Sequence, residues 1–167
     1  MATNVSSVLG ASLTSSDTTQ LFALGTRINT TDGSTWEYVE ATSTLTTGEL
    51  CVINAAGSAL LWTTALLAAP SVVGMRVGAP QFVISQGEFG FVATQGRNLY
   101  VLCTGTIAAG TGVALAEDGV LGAMAANAAG LTLAGIHITT SASTATASVA
   151  IATLTYPRAL TTAGVIS

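Results

Sequence analysis

The chain has no lysine, a single histidine and only 7% charged residues, where a soluble protein ordinarily carries about 25%. Without lysine there is no P-loop lysine and no Schiff-base lysine. One histidine, His137, excludes a zinc centre built from three histidines of one chain, and it excludes the two-histidine helix motif. Four arginines against eight acids give a net charge of −4 and a pI near 4.5, the wrong balance for a nucleic-acid surface. Aromatic residues are 5%, with three prolines and two cysteines. No positive n-region precedes an apolar stretch at the start, so no secretory signal peptide is expected. The most apolar long segment, residues 119–136, is interrupted by glycines and by Asn127. That pattern predicts no transmembrane helix.

What is present is small and hydroxylated: 29 alanines, 27 threonines, 18 glycines and 14 serines in 167 residues. The length suits one domain and buries enough surface for a core without metal or disulfide staples. Residues 1–20 are polar, rich in Ser and Thr, and contain no aromatic side chain. Such a segment cannot build a core of its own. It reads as an extended N-terminal arm that orders only against something else, or as a frayed terminus, with residues 21–167 as the single domain.

From Leu21 onward the pattern is strand and turn. Asp32-Gly33 is a tight-turn signal between residues 25–30 and 35–41. On the second of these strands Trp36 and Tyr38 share one face, while Glu37 and Val39 share the other. Further strands are expected at 48–54 and 58–63, and at 72–78 and 81–85 with Ala79-Pro80 breaking the last two apart. Others follow at 88–94 and 99–104, separated by a turn at 95–98. One helical turn is expected at 64–69, ended by Pro70. Residues 99–103 are apolar on both faces, which predicts cover on both sides, by a core or by a neighbouring subunit. The last third supplies strands at 112–116, 119–123, 131–140 and 145–156. Three Ala-Ala-Gly turns, ending at Gly57, Gly110 and Gly130, have no fixed spacing, so no solenoid is expected. Recurrent turns with almost no helical period predict an all-β fold, a compact antiparallel β-barrel or sandwich.

No catalytic, cofactor-binding or metal-binding residue is assigned. His137 lies between Ile136 and Ile138 and faces away from both. A catalytic role would need a nucleophile and an orienting acid, and no Gly-x-Ser-x-Gly elbow is present. Glu117-Asp118 falls in a turn, where acids are solvated. Glu37, Glu40, Glu49 and Glu88 could supply a glycosidase-like pair, although nothing in their spacing demands it. Cys51 and Cys103 read as buried free thiols, with a disulfide as the minor alternative. In Phe89-Gly90-Phe91 the two rings share a face. They pack in a core, or the glycine admits another backbone at a subunit contact.

Five segments stand in a suggestive order: Gly25-Thr26-Arg27, Trp36-Glu37-Tyr38-Val39, Gly48-Glu49-Leu50-Cys51-Val52, Gly87-Glu88-Phe89-Gly90-Phe91-Val92 and Leu154-Thr155-Tyr156-Pro157-Arg158. With the Ala/Thr-rich composition they resemble the capsid decoration, or cement, proteins of tailed bacteriophages over about residues 21–160. Two features depart from the family pattern: the second aromatic of Phe-Gly-Phe is more often Trp, and lysines are common in its members. The resemblance implies a β-barrel that trimerises at three-fold or quasi-three-fold positions of the head. There it would bridge neighbouring major capsid subunits on the outer surface of the virion, after synthesis in the host cytoplasm. It implies no catalysis, no cofactor, no nucleic acid and no membrane. Arg27, the Trp36/Tyr38 face, Phe89/Phe91 and Tyr156-Pro157-Arg158 carry over as structural positions. A competing reading is a fibre or head-fibre domain that binds a host glycan on Trp36 or Trp62.

Overall fold

Gly33 has a φ of 83°, the left-handed conformation that an Asp-Gly turn requires. It joins β3 (Arg27–Asn29) to β4 (Thr35–Ala41). The Asp32 carboxylate secures this turn by accepting from the Thr30 hydroxyl and, at 2.9 Å, from the Ser34 amide. The Thr30 hydroxyl foremost, and then Ser34, hold the Asp32 carboxyl below its ordinary 3.8, against a partial opposing effect of burial. A lowered folded-state pKa gives stability that is complete above the unfolded value and is lost as pH falls through the folded one. Acidification below about pH 4 should therefore lower Tm, and Asp32→Asn should flatten that part of the Tm–pH curve. A variant curve as steep as the parent's would remove Asp32 from the account.

The computed structural model describes residues 7–8, 10–63, 75–110, 113–117, 120–123, 132–140 and 142–160. Strands β1 (Ser7–Val8) and β2 (Ala11–Ser12) form a separate small pair. After β4 come β5 (Cys51–Ile53), β6 (Ser58–Leu61), β7 (Arg76–Pro80) and β8 (Phe89–Ile107). The chain continues through β9 (Val113–Glu117), β10 (Val120–Ala123), β11 (Thr132–Ile138) and β12 (Ala142–Leu160). The described residues are all-β and contain no helix. The helical turn expected at 64–69 lies outside them.

Strands β3 to β12 form one mixed sheet. Among the described residues its pairings close two large circuits, besides a small β7–β8–β12 closure at Arg76↔Arg158. One circuit runs β4–β6–β5–β7–β8 and back to β4. The other runs β8–β10–β9–β11–β12 and back to β8. Each circuit contains one parallel pairing, β4–β6 in the first and β10–β8 in the second, with the other pairs antiparallel. The wholly antiparallel arrangement expected from the sequence is thus corrected to a mixed one. Strand β8 serves both circuits, which its 19 residues allow.

Two local expectations change with it. Residues 95–98 do not reverse the chain. Gly96 (φ 148°) and Asn98 (φ 57°) bend β8 from within, while β12 stays paired across the bend from Tyr100↔Ile151 to Gly96↔Leu154. A paired neighbour on both sides of a turn-like sequence converts it into a kink. Pro80 ends β7 rather than breaking the chain before another strand, and residues 81–85 contribute a single bridge, Ile84 to Leu45.

That bridge reveals an internal two-fold relation. Residues 39 positions apart occupy equivalent places. Leu45 and Ile84 bond each other reciprocally at 2.9 and 3.0 Å. The Gly48 amide donates to Pro80 O at 2.7 Å, and the Gly87 amide donates to Ala41 O at 2.7 Å. Glu49 and Glu88 each accept from the amide three residues earlier, Thr46 and Ser85. The strand pairings repeat as well: Val39↔Gly90 matches Gly78↔Cys51, and Glu37↔Val92 matches Arg76↔Ile53. Turn spacing alone had shown no fixed period. The repeat is written in the Gly-Glu turns, Gly48-Glu49 and Gly87-Glu88, not in the Ala-Ala-Gly punctuation.

Strand β4 is buried on both faces. Val39 and Ala41 join Leu45, Cys51, Ile53, Ala59, Ile84 and Val92 in a small core inside the first circuit. Trp36 and Tyr38 join the larger core on the opposite face, with Trp62, Phe91, Val101 and Leu154. The Tyr38 ring lies 5.2 Å from Phe22, edge-on, and 5.0 Å from Phe91, in the range where aromatic pairs add about 0.5–1.5 kcal/mol beyond burial. Part of the N-terminal segment packs on this body. Leu13 is buried in the larger core, Asp17 pairs with Phe89, and the Ser16 hydroxyl donates to the Glu88 carboxylate.

Candidate functional site: a buried glutamate between two arginines

Strand alternation puts Glu37 on the Val39 face, which the first circuit turns inward. Its side chain is 0% exposed. A carboxylate taken out of water needs opposite charge and hydrogen bonds to remain ionised at tolerable cost. Arg27 stands directly opposite on β3, and its Nε donates to Glu37 Oε2 at 3.0 Å. Arg76 is the two-fold counterpart of Glu37, and its Nη2 lies 2.9 Å from Oε1. The same Nη2 donates to the Asn54 carbonyl at 3.1 Å. The contact with Oε1 is an ion pair by distance but is off the hydrogen-bond line, so Oε1 has no aligned donor among the described residues. The two guanidinium side chains keep contact with solvent, at 45% and 33% exposure.

A cavity of about 60 Å³ opens beside the arginines, lined by Arg27, Arg76, Val77, Thr94, Tyr156 and Pro157. Strand β12 supplies its far wall at an irregular point. Tyr156 has a φ of 49° and Gly135 on β11 a φ of 84°, and the β11–β12 register shifts between Ala134 and Ile136. A bulky residue in the left-handed region is a true outlier, held by its surroundings. Glycine is required opposite it, because a Cβ at position 135 would come within 2.7 Å of the Thr155 carbonyl oxygen. Past the bulge β12 leaves β8 for β7, and Arg158 faces Arg76 in the register. Two arginines, Arg27 and Arg76, thus flank one carboxylate, and Arg158 is the register partner of the second.

Sequence reasoning had marked Arg27 and Tyr156-Pro157-Arg158 as structural positions and Glu37 as one of four candidate carboxylates. It did not join them. The other three carboxylates stand elsewhere: Glu40 is half-buried opposite Phe89, and Glu49 and Glu88 close the two equivalent turns. His137 is exposed on β11, with Nδ1 3.1 Å from the Ile138 carbonyl. Asp118 and the side chain of Glu117 lie outside the described residues. Phe91 is core, and Gly90 makes room for Ile84 of the same chain, whose Cδ1 would lie 2.9 Å from a Cβ there. Trp36 and Trp62 are both buried, so neither ring offers a stacking platform for a sugar. Cys51 and Cys103 are free and buried. Burial pushes their thiols up, to about 12 and about 11. Among the described residues no group of three or more His, Cys, Asp or Glu side chains could hold a metal ion, and no helix is long and apolar enough to cross a membrane. Compared with protein-family models and with curated proteins, the chain matches none.

Proposed function

We propose that this chain is a capsid decoration, or cement, protein of a tailed bacteriophage. In this reading it trimerises on the outer head surface at three-fold or quasi-three-fold positions and bridges neighbouring major capsid subunits, stabilising the expanded shell. The observation that carries the proposal is the outer face of β8 and β12. Leu99, Val101 and Cys103 point into the larger core, but Tyr100 and Val149 on the reverse face are 47% and 50% exposed. The register Tyr100↔Ile151 and Leu102↔Val149 puts four apolar side chains side by side on that face. Scattered apolar residues on a surface need no explanation, whereas adjacent ones mark a contact.

The charge distribution supports the same reading. Glu37 is paired with Arg27 and Arg76, and Asp32, Glu49 and Glu88 are engaged in turns. Among the described residues, Thr and Ala are prominent on the exposed surface and charges are few, as at interface centres. The two closed pairing circuits favour a compact barrel as the finer description of the body. Linked copies would gain avidity of about 10²–10⁴-fold over a single contact.

Native mass spectrometry should give a three-chain species, and the protein should co-sediment with expanded heads. Replacing Tyr100 and Val149 together with aspartate should weaken assembly by about a hundredfold, if each buried charge removes about 1.4 kcal/mol. A monomer that fails to bind heads would overturn the proposal. The glycan-binding alternative has no structural observation in its favour, since its two rings are buried.

A further inference from the structure

We propose that the cavity beside Arg27 and Arg76 binds a single carboxylate group, held between the two guanidiniums. This goes beyond the capsid reading and does not depend on it.

Two guanidiniums share one carboxylate, Glu37, whose Oε2 takes an aligned bond from Arg27 while Oε1 receives only an off-line contact from Arg76. One positive charge is left without a partner in a chain whose net charge is −4. Two guanidiniums around one carboxylate put more positive charge at this point than the internal carboxylate requires.

Both arginines keep a third to a half of their side-chain surface exposed, while Glu37 has none. Their outward nitrogens can therefore meet a ligand without dissolving the internal pair. The cavity of about 60 Å³ has room for a small group such as a carboxylate and lies far below the volume of a site for a drug-sized molecule. Guanidinium presents a planar fork that matches carboxylate geometry. A doubly charged phosphate matches less well, because Glu37 lies immediately behind the arginines and one surplus charge calls for one negative charge. The wall opposite is the bulge at Tyr156, held in the left-handed region. Bulges that re-aim a strand are enriched beside functional sites.

The carboxylate can come from an acidic side chain of a neighbouring polypeptide or from a free small acid. The test is a titration of the intact protein with sodium acetate at constant ionic strength, with sodium chloride exchanged out, following the arginine Nε–H and Tyr156 amide resonances by NMR. The Arg27 and Arg76 signals should move and saturate with a Kd of about 1–10 mM. Arg27→Lys keeps the charge but loses the fork, and it should weaken acetate binding about tenfold. Arg27→Gln should abolish it. If that variant unfolds, the lysine variant and the parent titration still decide the matter. Shifts that never saturate, or that chloride reproduces, would overturn the proposal. So would phosphate binding more tightly than acetate. A short glutamate-containing peptide binding at least about tenfold tighter than acetate, with its glutamine version inert, identifies a polypeptide source. Equal affinity of the peptide and acetate identifies a free small acid.

Discussion

Arg76→Ala should destabilise the protein by about 3 kcal/mol, near the lower end of what is lost when one partner of a buried pair is removed. Glu37 has no exposure of its own, and Arg76 is the cation nearest its Oε1. Removing that cation leaves an oxygen inside the sheet circuit without opposite charge at contact distance. The loss stays at the low end because water reaches Arg76 and can partly follow the truncation. Arg27→Ala should cost less, about 1–2 kcal/mol, because Arg27 is the more exposed of the two. Urea unfolding at neutral pH measures both. The double variant Glu37→Met with Arg76→Met should recover most of the Arg76→Ala loss, since apolar residues of similar size can replace a buried ion pair at little cost. A loss below about 1 kcal/mol for Arg76→Ala would mean that water screens Glu37 well enough without it.

Gly57→Ala should be the other severe change, at about 2–5 kcal/mol, the sum of a left-handed backbone penalty and overpacking. Gly57 has a φ of 85°, and a Cβ there would sit 2.6 Å from Leu24 Cβ and 2.9 Å from the Gly25 amide nitrogen. Backbone is in the way, so no side-chain rotation relieves the collision. The turn also anchors β4, because the Glu40 amide donates to the Gly57 carbonyl. Gly33→Ala provides the control. Its φ is 83°, but a Cβ there meets nothing within 4 Å. It should lose only the conformational part, about 1–2 kcal/mol. Equal Tm losses for the two variants would show that the approach to Leu24 carries no steric cost.

Several features were legible in the residues themselves. The Asp32-Gly33 turn, the hairpin it closes and the opposed faces of Trp36/Tyr38 and Glu37/Val39 follow from local chemistry, because turn geometry and side-chain alternation depend only on near neighbours. The two-sided apolar character of residues 99–103 was also readable, and the structure covers one of those faces while leaving Tyr100 exposed. Other features were not readable. A sequence cannot distinguish a turn from a kink at Gly96 and Asn98 until β12 is known to pair across both sides. Nor does it say that the face bearing Glu37, which a lone hairpin would give to solvent, becomes the inside of a closed circuit.

Composition and alternation by themselves determined that this chain is built of strands and poor in charge. Those properties are sums over short stretches, and short-range physics decides them. Only the tertiary structure decided that residues 27, 37, 76 and 156 meet, that turns 39 positions apart are two-fold partners, and that one glutamate is buried between two arginines. These follow from which strands close on which, a choice made by long-range packing and hydrogen-bond satisfaction that no local window contains.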